Sequence, residues 1–271
     1  MKRFPGWKLS VLMLALCTAG SGCAATQRVA GRLNPDRQRA YDTKSTLAQV
    51  YEKEGKLREA VELYRDLYES YEDDVLATHR LGVAMTQLGS EEEGLFLLEE
   101  AHLLAPEDPE ILNDLGYAYI LAGDLETAEK LIQRAYGLQP ENERTVANLA
   151  LVAGYAGRDK ECLSLFKQVV SEAEAHANLA YICSQRGNGS LAMEHYSRAL
   201  DYDPDLRPAA VGLTQLHQMK QEFEREQAAI AARQPAAESN VQSAAATEPA
   251  DVAAEPGRVQ LTGGEFDWAQ E

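Results

Sequence analysis

The sequence predicts an all-α fold: about five helix-turn-helix units stacked in line and closed by one C-terminal capping helix. Three observations lead there. Apolar residues recur three and four apart on both sides of Gly123, the spacing of two amphipathic helices around a breaker. Within residues 108–142, large and small residues follow a set order: Leu115, Gly116, Tyr119, Gly123, Ala128, Ile132, Ala135 and Pro140. That order returns every 34 residues. A two-helix unit cannot bury its apolar face alone, so such a period means that neighbours stack on neighbours.

Thirty-four residues earlier stand Leu81, Gly82, Met85, Gly89, Gly94, Leu98, Ala101 and Pro106, and before them Leu47, Ala48, Tyr51, Gly55, Ala60, Tyr64 and Leu67. Later copies read Leu149, Ala150, Ala153, Gly157, Cys162, Phe166 and Val169, then Leu179, Ala180, Cys183, Gly187, Ala192, Tyr196, Ala199 and Pro204. Gly116 and Ala128 are small because the two helices of a unit approach closely where they cross. These residues resemble tetratricopeptide (TPR) repeats over residues 41–206, divided as 41–74, 75–108, 109–142, 143–172 and 173–206. The resemblance implies a right-handed superhelix whose inner wall is lined by the first helix of each unit, helix A, and a function in protein binding. From Ala150 to Ala180 is 30 residues, so the fourth unit is four short, and the loss falls around VVSEAEAHA. A change of pitch is expected there.

Residues 207–233 open with apolar spacing at Val211, Leu213 and Leu216 and then turn polar, as a capping helix should. Residues 234–271 hold almost no large apolar side chains and are expected to be disordered. Val259, Leu261, Phe266 and Trp268 near the end read either as a short docking motif or as an unpatterned tail.

At the other end, residues 1–22 read as an export signal. Lys2, Arg3 and Lys8 precede an apolar run over residues 9–16, too short for an ordinary membrane span. The sequence Thr18-Ala19-Gly20-Ser21-Gly22-Cys23 resembles a bacterial lipoprotein signal, although Gly20 stands where that family usually has Leu. The resemblance implies acyl chains on Cys23 and firm membrane anchoring; ordinary signal cleavage at a nearby small residue is the alternative. Ala24 and Ala25, with no Asp, resemble lipoproteins sorted to the outer membrane, facing the periplasm. Residues 23–40 are expected to be a tether, with Asn34-Pro35-Asp36 as a turn before the first repeat helix.

Composition narrows the function. The 271-residue chain carries 43 acidic against 26 basic residues, net charge -17, and the three charged residues before Cys23 are all basic. Nucleic acid is therefore an unfavourable partner, because phosphate binding needs a basic surface. The acidic clusters at Asp73-Asp74, Glu91 to Glu93 and Glu99-Glu100 read as solvated faces and turns. No phosphate loop, dinucleotide fingerprint or zinc-helix motif is present, and the five histidines sit at repeat positions with no nucleophile signature. No catalytic residue, metal or cofactor is expected. Cys162 and Cys183 occupy small-residue positions, and two buried thiols are favoured over a disulfide.

Binding is expected on helix A residues that the core does not use. Arg80, Asp114, Asn148 and Asn178 share one position, immediately before the Leu of each unit; Val83, Tyr117, Leu151 and Tyr181 share another. His79, Asn113 and Tyr155 complete the candidate peptide-binding set. Amides both donate and accept, so the column suits an extended peptide backbone; a hydrogen bond to an adjacent helix is the competing reading. Ser45 and Gln49 stand where relatives that grip a C-terminal carboxylate carry Lys and Asn. The stretches NLALVAGYAGRDKE and AEAHANLAYICSQRGNGSLAMEHYSRALDYDPDLRPA also resemble the TPR lipoprotein of tight-adherence (Flp) pilus assembly, itself similar to secretin pilotins. That resemblance implies a scaffold that helps to place a secretin or its neighbours. An adaptor for a peptidoglycan or other envelope enzyme is the alternative.

Overall fold

The computed structural model describes residues 35–233. The signal segment, Cys23 and the tail motif lie outside them. The chain divides into two units, Met1–Thr43 and Lys44–Glu271. Of the first, the described part is helical and largely exposed, with Gln38 Nε2 donating to Asp42 at 2.8 Å along the helix face. This helix, α1 (Pro35–Lys53), starts inside the stretch expected to be tether. Proline is at home in a first helical turn, where its missing N–H would have no partner anyway, so Pro35 opens the helix rather than preceding it.

In the second unit Tyr64 of α2 (Leu57–Ser70) donates its hydroxyl to Glu52 near the end of α1, while α3 (Val75–Gln87) packs on α4 (Glu91–Leu104) and α5 (Pro109–Leu121) on α6 (Leu125–Leu138). Next come α7 (Glu143–Tyr155) with α8 (Asp159–Phe166), α9 (Glu172–Gln185) with α10 (Gly189–Tyr202), and finally α11 (Arg207–Arg233). The described residues therefore hold an all-α array of helical hairpins with a terminal helix. Each A-to-B turn is made the same way. Gly123 takes φ +81°, where a side chain would be strained; Gly123 N–H donates to Ile120 O and Asp124 N–H to Tyr119 O, both at 3.0 Å. Helix A starts are capped by side chains at a 34-residue interval: Asp74, Asp108 and Asn142 each accept from backbone N–H groups of the following turn.

The close waist of each hairpin explains its small residues. A Cβ on Gly116 would lie 2.4 Å from Ile132 Cγ1 and 3.3 Å from Ala128 O. One on Gly94 would meet Thr86 Oγ1 at 2.2 Å and the Thr86 backbone nitrogen at 2.8 Å. Ala48, Ala60, Ala128, Ala150, Ala180 and Ala192 are fully buried. The missing residues of the fourth unit come out of its second helix: α8 has 8 residues where α4, α6 and α10 have 14. No Pro or Gly restarts the chain there. Ser171 does so with a capping box, its Oγ accepting from Glu174 N–H at 3.2 Å while the Glu174 carboxylate accepts from Ser171 N–H at 3.0 Å.

α11 stands where a sixth helix A would stand. Ala209 and Leu216 are buried against the last hairpin, and Gly212 leaves room for the Tyr196 ring, whose Cζ a Cβ would approach to 2.4 Å. The side that would receive a sixth helix B carries Thr214 and His217, both exposed. A polar outer side is what ends a solenoid. Cys162 and Cys183 are free, buried thiols in one core cluster, and burial pushes them up to about 12 and about 11.

Candidate functional site

The helix A wall is built on a ladder of side chains that run from one helix A to the next. His79 in α3 and Asn113 in α5 occupy the same position of successive units. Each meets a residue 35 further along: His79 Nε2 lies 2.8 Å from Asp114 Oδ2, and the Asn113 oxygen accepts from Asn148 Nδ2 at 3.2 Å. In that amide orientation Asn113 also donates to Thr145 Oγ1 at 3.3 Å. Ala147 holds the corresponding place in α7, so the ladder stops there. His79 and Asn113, expected to face a peptide, instead face the neighbouring helix. Both are buried, as are Asp114 and Asn148. The physical reason is position: a side chain one residue before the outward column turns toward the next helix A, where an unpartnered amide or imidazole would be costly.

Burial, and then the nearby Arg80 charge, push the His79 imidazole down to about 4. It is neutral at neutral pH, and Nε2–H donates to the Asp114 carboxylate. Asp114 also pairs with Arg144 of α7, whose Nε stands 3.1 Å from the Asn113 oxygen. Arg80 pairs with Glu52 of α1 at 3.2 Å, and Glu52 accepts from the Tyr64 hydroxyl at 2.9 Å. The charges of this part of the wall therefore compensate one another.

In front of the ladder lies a cavity of about 370 Å³, lined by Glu52, Arg80, Val83, Thr86, Gln87, Leu98, Asp114, Tyr117, Arg144 and Asn148. It brings together Arg80, Val83, Asp114, Tyr117 and Asn148 of the expected set. Val83 and Leu151 are half-buried and pack on core clusters. Tyr155 is half-buried and lines a second, mostly apolar cavity of about 150 Å³ with Ile120, Leu121 and Gln185. Asn178 is half-buried, while Tyr117 and Tyr181 are 38% and 53% exposed. Glu52, Thr86 and Arg144 were not among the expected wall residues. Arg144 was the findable one, since it lies one helical turn before Asn148 and shares its face.

Two stretches of the chain, residues 45–103 and 96–143, match one tetratricopeptide-repeat family, and residues 173–206 match another of the same description. The unmatched stretch between them contains the hairpin with the shortened α8. The TPR repeat-containing protein YpiA of Bacillus subtilis is 26% identical over 178 residues, which is 63% of this chain and 42% of that protein. Anaphase-promoting complex subunit 7 of Dictyostelium discoideum is 27% identical over 135 residues, 48% of this chain and 23% of that one. The chain thus spans less than half the length of these curated relatives. Among solved structures, TTC0263, a TPR protein of Thermus thermophilus, superposes with a TM-score of 0.51 at 18% identity, covering 66% of this chain and 99% of that one. The repeated hairpins and their glycine turns agree with these matches, which identify tetratricopeptide repeats over residues 45–143 and 173–206 of the chain.

Proposed function

We propose that this protein is an envelope scaffold, tethered through a lipid on Cys23, whose helix A wall holds a peptide segment of a pilus or secretion complex, a secretin being the leading candidate. The observation that carries the binding role is the exposure of Tyr117 and Tyr181 on a wall where His79, Asn113, Asp114 and Asn148 are buried and bonded to one another. Large aromatics presented between rigid neighbours are the side chains from which interfaces draw most of their affinity. The tether is supported by the small residues before Cys23, and the pilus role by the resemblance of the fourth and fifth units to the Flp assembly lipoprotein. Among the described residues no helix is long and apolar enough to cross a membrane.

The test is photo-crosslinking in the cell from Tyr117 and Tyr181, with mass spectrometry of the captured protein. A component of a pilus or secretion assembly, lost from the membrane fraction together with this chain in Cys23→Ala, is the expected result. Capture of a peptidoglycan enzyme, with altered cell shape on deletion, would replace the pilus reading by the adaptor reading. No specific capture from either tyrosine removes the wall as the binding surface.

A further inference from the structure

The repeat order itself shows which residues the second helix of a hairpin needs on its outer side. In α4 the residue two places after the waist glycine Gly94 is Phe96, and seven places further on stands Leu103. The matching places hold Glu62 and Glu69 in α2, Lys130 and Gly137 in α6, and Glu194 and Asp201 in α10, while the shortened α8 has Ser164 at the first of them. The same hairpin is thus built without a large apolar residue at either place, and the inward side of α4 is already supplied by Leu97, Leu98 and Ala101, all buried. Phe96 and Leu103 are 61% and 81% exposed, the two most exposed large hydrophobic side chains among the described residues. Seven residues are two helical turns, so both stand on one face of α4, with the exposed Glu92 and Glu99 a turn away on the same face. α4 carries Glu91, Glu92, Glu93, Glu99 and Glu100 and no Lys or Arg. Arg65 of α2 pairs with Glu93 at 2.8 Å and leaves the others without a cation among the described residues.

We infer that this outer face of α4 is a second docking surface, and that its occupant is a cationic amphipathic helix of a protein partner, with apolar side chains on Phe96 and Leu103 and Lys or Arg against the glutamates. Exposed apolar side chains that the scaffold does not require are the mark of a contact surface. Two of them two turns apart match the apolar stripe of one partner helix, whose anchors recur at the same spacing. The backbone of α4 is engaged within its own helix, so an occupant meets side chains only, as in the packing of one helix on another. Charge selects the sign of that occupant, because like charges across a contact are repelled and opposite ones steer the encounter. A second copy of this chain would set the same five glutamates against these, each chain carrying a net charge of -17. Residues 234–271 are disfavoured likewise, since Arg258 is their one basic residue beside seven acidic ones. An anionic lipid surface is repelled for the same reason. The face shares no residue with the helix A wall, so a scaffold of this kind holds two partners at once.

Full-length protein is titrated with fluorescein-labelled peptides, read by anisotropy at low and at physiological salt. One is a helix-forming peptide with leucine on one face and lysine on the other; a second has glutamate for the lysines, a third serine for the leucines. A fourth is residues 24–34 of this chain, which carry Arg28 and Arg32. The leucine-lysine peptide should bind best, and less tightly as salt rises. Phe96→Ser combined with Leu103→Ser should weaken it at least about tenfold. Glu91→Gln combined with Glu92→Gln should weaken it a few-fold and flatten the salt dependence. Val211→Ser, exposed on α11, should leave binding unchanged. Circular dichroism of each variant keeps loss of binding separate from loss of fold. Equal binding of the glutamate or the serine peptide, or indifference to the Phe96 and Leu103 changes in folded protein, would overturn the inference. Tighter binding of residues 24–34 would give the face to this chain's own segment, and self-association in sedimentation that Phe96→Ser with Leu103→Ser abolishes would give it to a second copy; either result overturns the assignment to a partner helix.

Discussion

A buried imidazole 2.8 Å from a carboxylate invites an ion-pair reading, but at His79 burial wins. Loss of water disfavours the charged form most and Arg80 next, while Asp108 and Glu110 pull the other way and Arg144 adds the smallest contribution, in the sense of Arg80. The folded imidazole therefore titrates near 4, whereas in the unfolded chain it takes a proton near 6.5. A pKa lowered by folding gives stability that is fully present above about 6.5 and is lost as pH falls toward 4, on the order of 3 kcal/mol in all. His176 and His195, buried with their Nδ1 atoms 2.9 Å apart, are lowered too, first by burial, and add loss in the same direction. Thermal unfolding at pH 7, 5 and 4 should show this fall in the wild type and a shallower one in His79→Gln, which keeps a donor near Asp114 but does not titrate. Equal pH dependence would refute the assignment. His79 was legible as a helix A residue but not as a buried one. Its partner stands 35 residues away, and helical periodicity alone does not say which side of a helix A meets the next helix A and which meets solvent.

At the scale of the hairpin, the small residues were readable because close approach of two helices leaves no other choice. Two glycines test this against each other. Gly116 sits at the waist of α5 and α6, while a Cβ added to Gly137, exposed near the end of α6, would meet nothing within 4 Å. Both are helical, so intrinsic propensity favours alanine at both by about 1 kcal/mol. Gly137→Ala should accordingly stabilise by about 0.5–1 kcal/mol. Gly116→Ala should destabilise by about 1–3 kcal/mol, because Ile132 is fully buried and has nowhere to go. Chemical denaturation of both variants is the measurement, and the same sign at both would remove the waist as the organising contact. What the repeat order left open was where the fourth unit loses its residues. Helix B of that unit reads as apolar through Val169, yet α8 ends at Phe166, since the Ser171–Glu174 box restarts the chain immediately afterwards.

Across the molecule, each hairpin leans only on its neighbours, so local stability is a sum of unit and interface terms rather than of one central core. The hairpin of α7 and α8 is the weak link, because a helix of 8 residues offers one neighbour less surface than one of 14. Native-state hydrogen exchange should therefore show lower protection in α8 and residues 167–170 than in α6 or α10. Uniform protection across the second helices would contradict nearest-neighbour coupling with a local defect at this unit.

The sequence by itself determined the all-α class, the period and the placing of the turn glycines, because these follow from contacts within a unit or between adjacent units. It also marked Tyr117 and Tyr181 as wall residues, since their position repeats with the outward column. Only the tertiary structure decided which polar residues of that column were already engaged. His79 with Asp114, Asn113 with Asn148 and Arg80 with Glu52 join different hairpins across 28 to 35 residues of chain, and periodicity says nothing of such pairings.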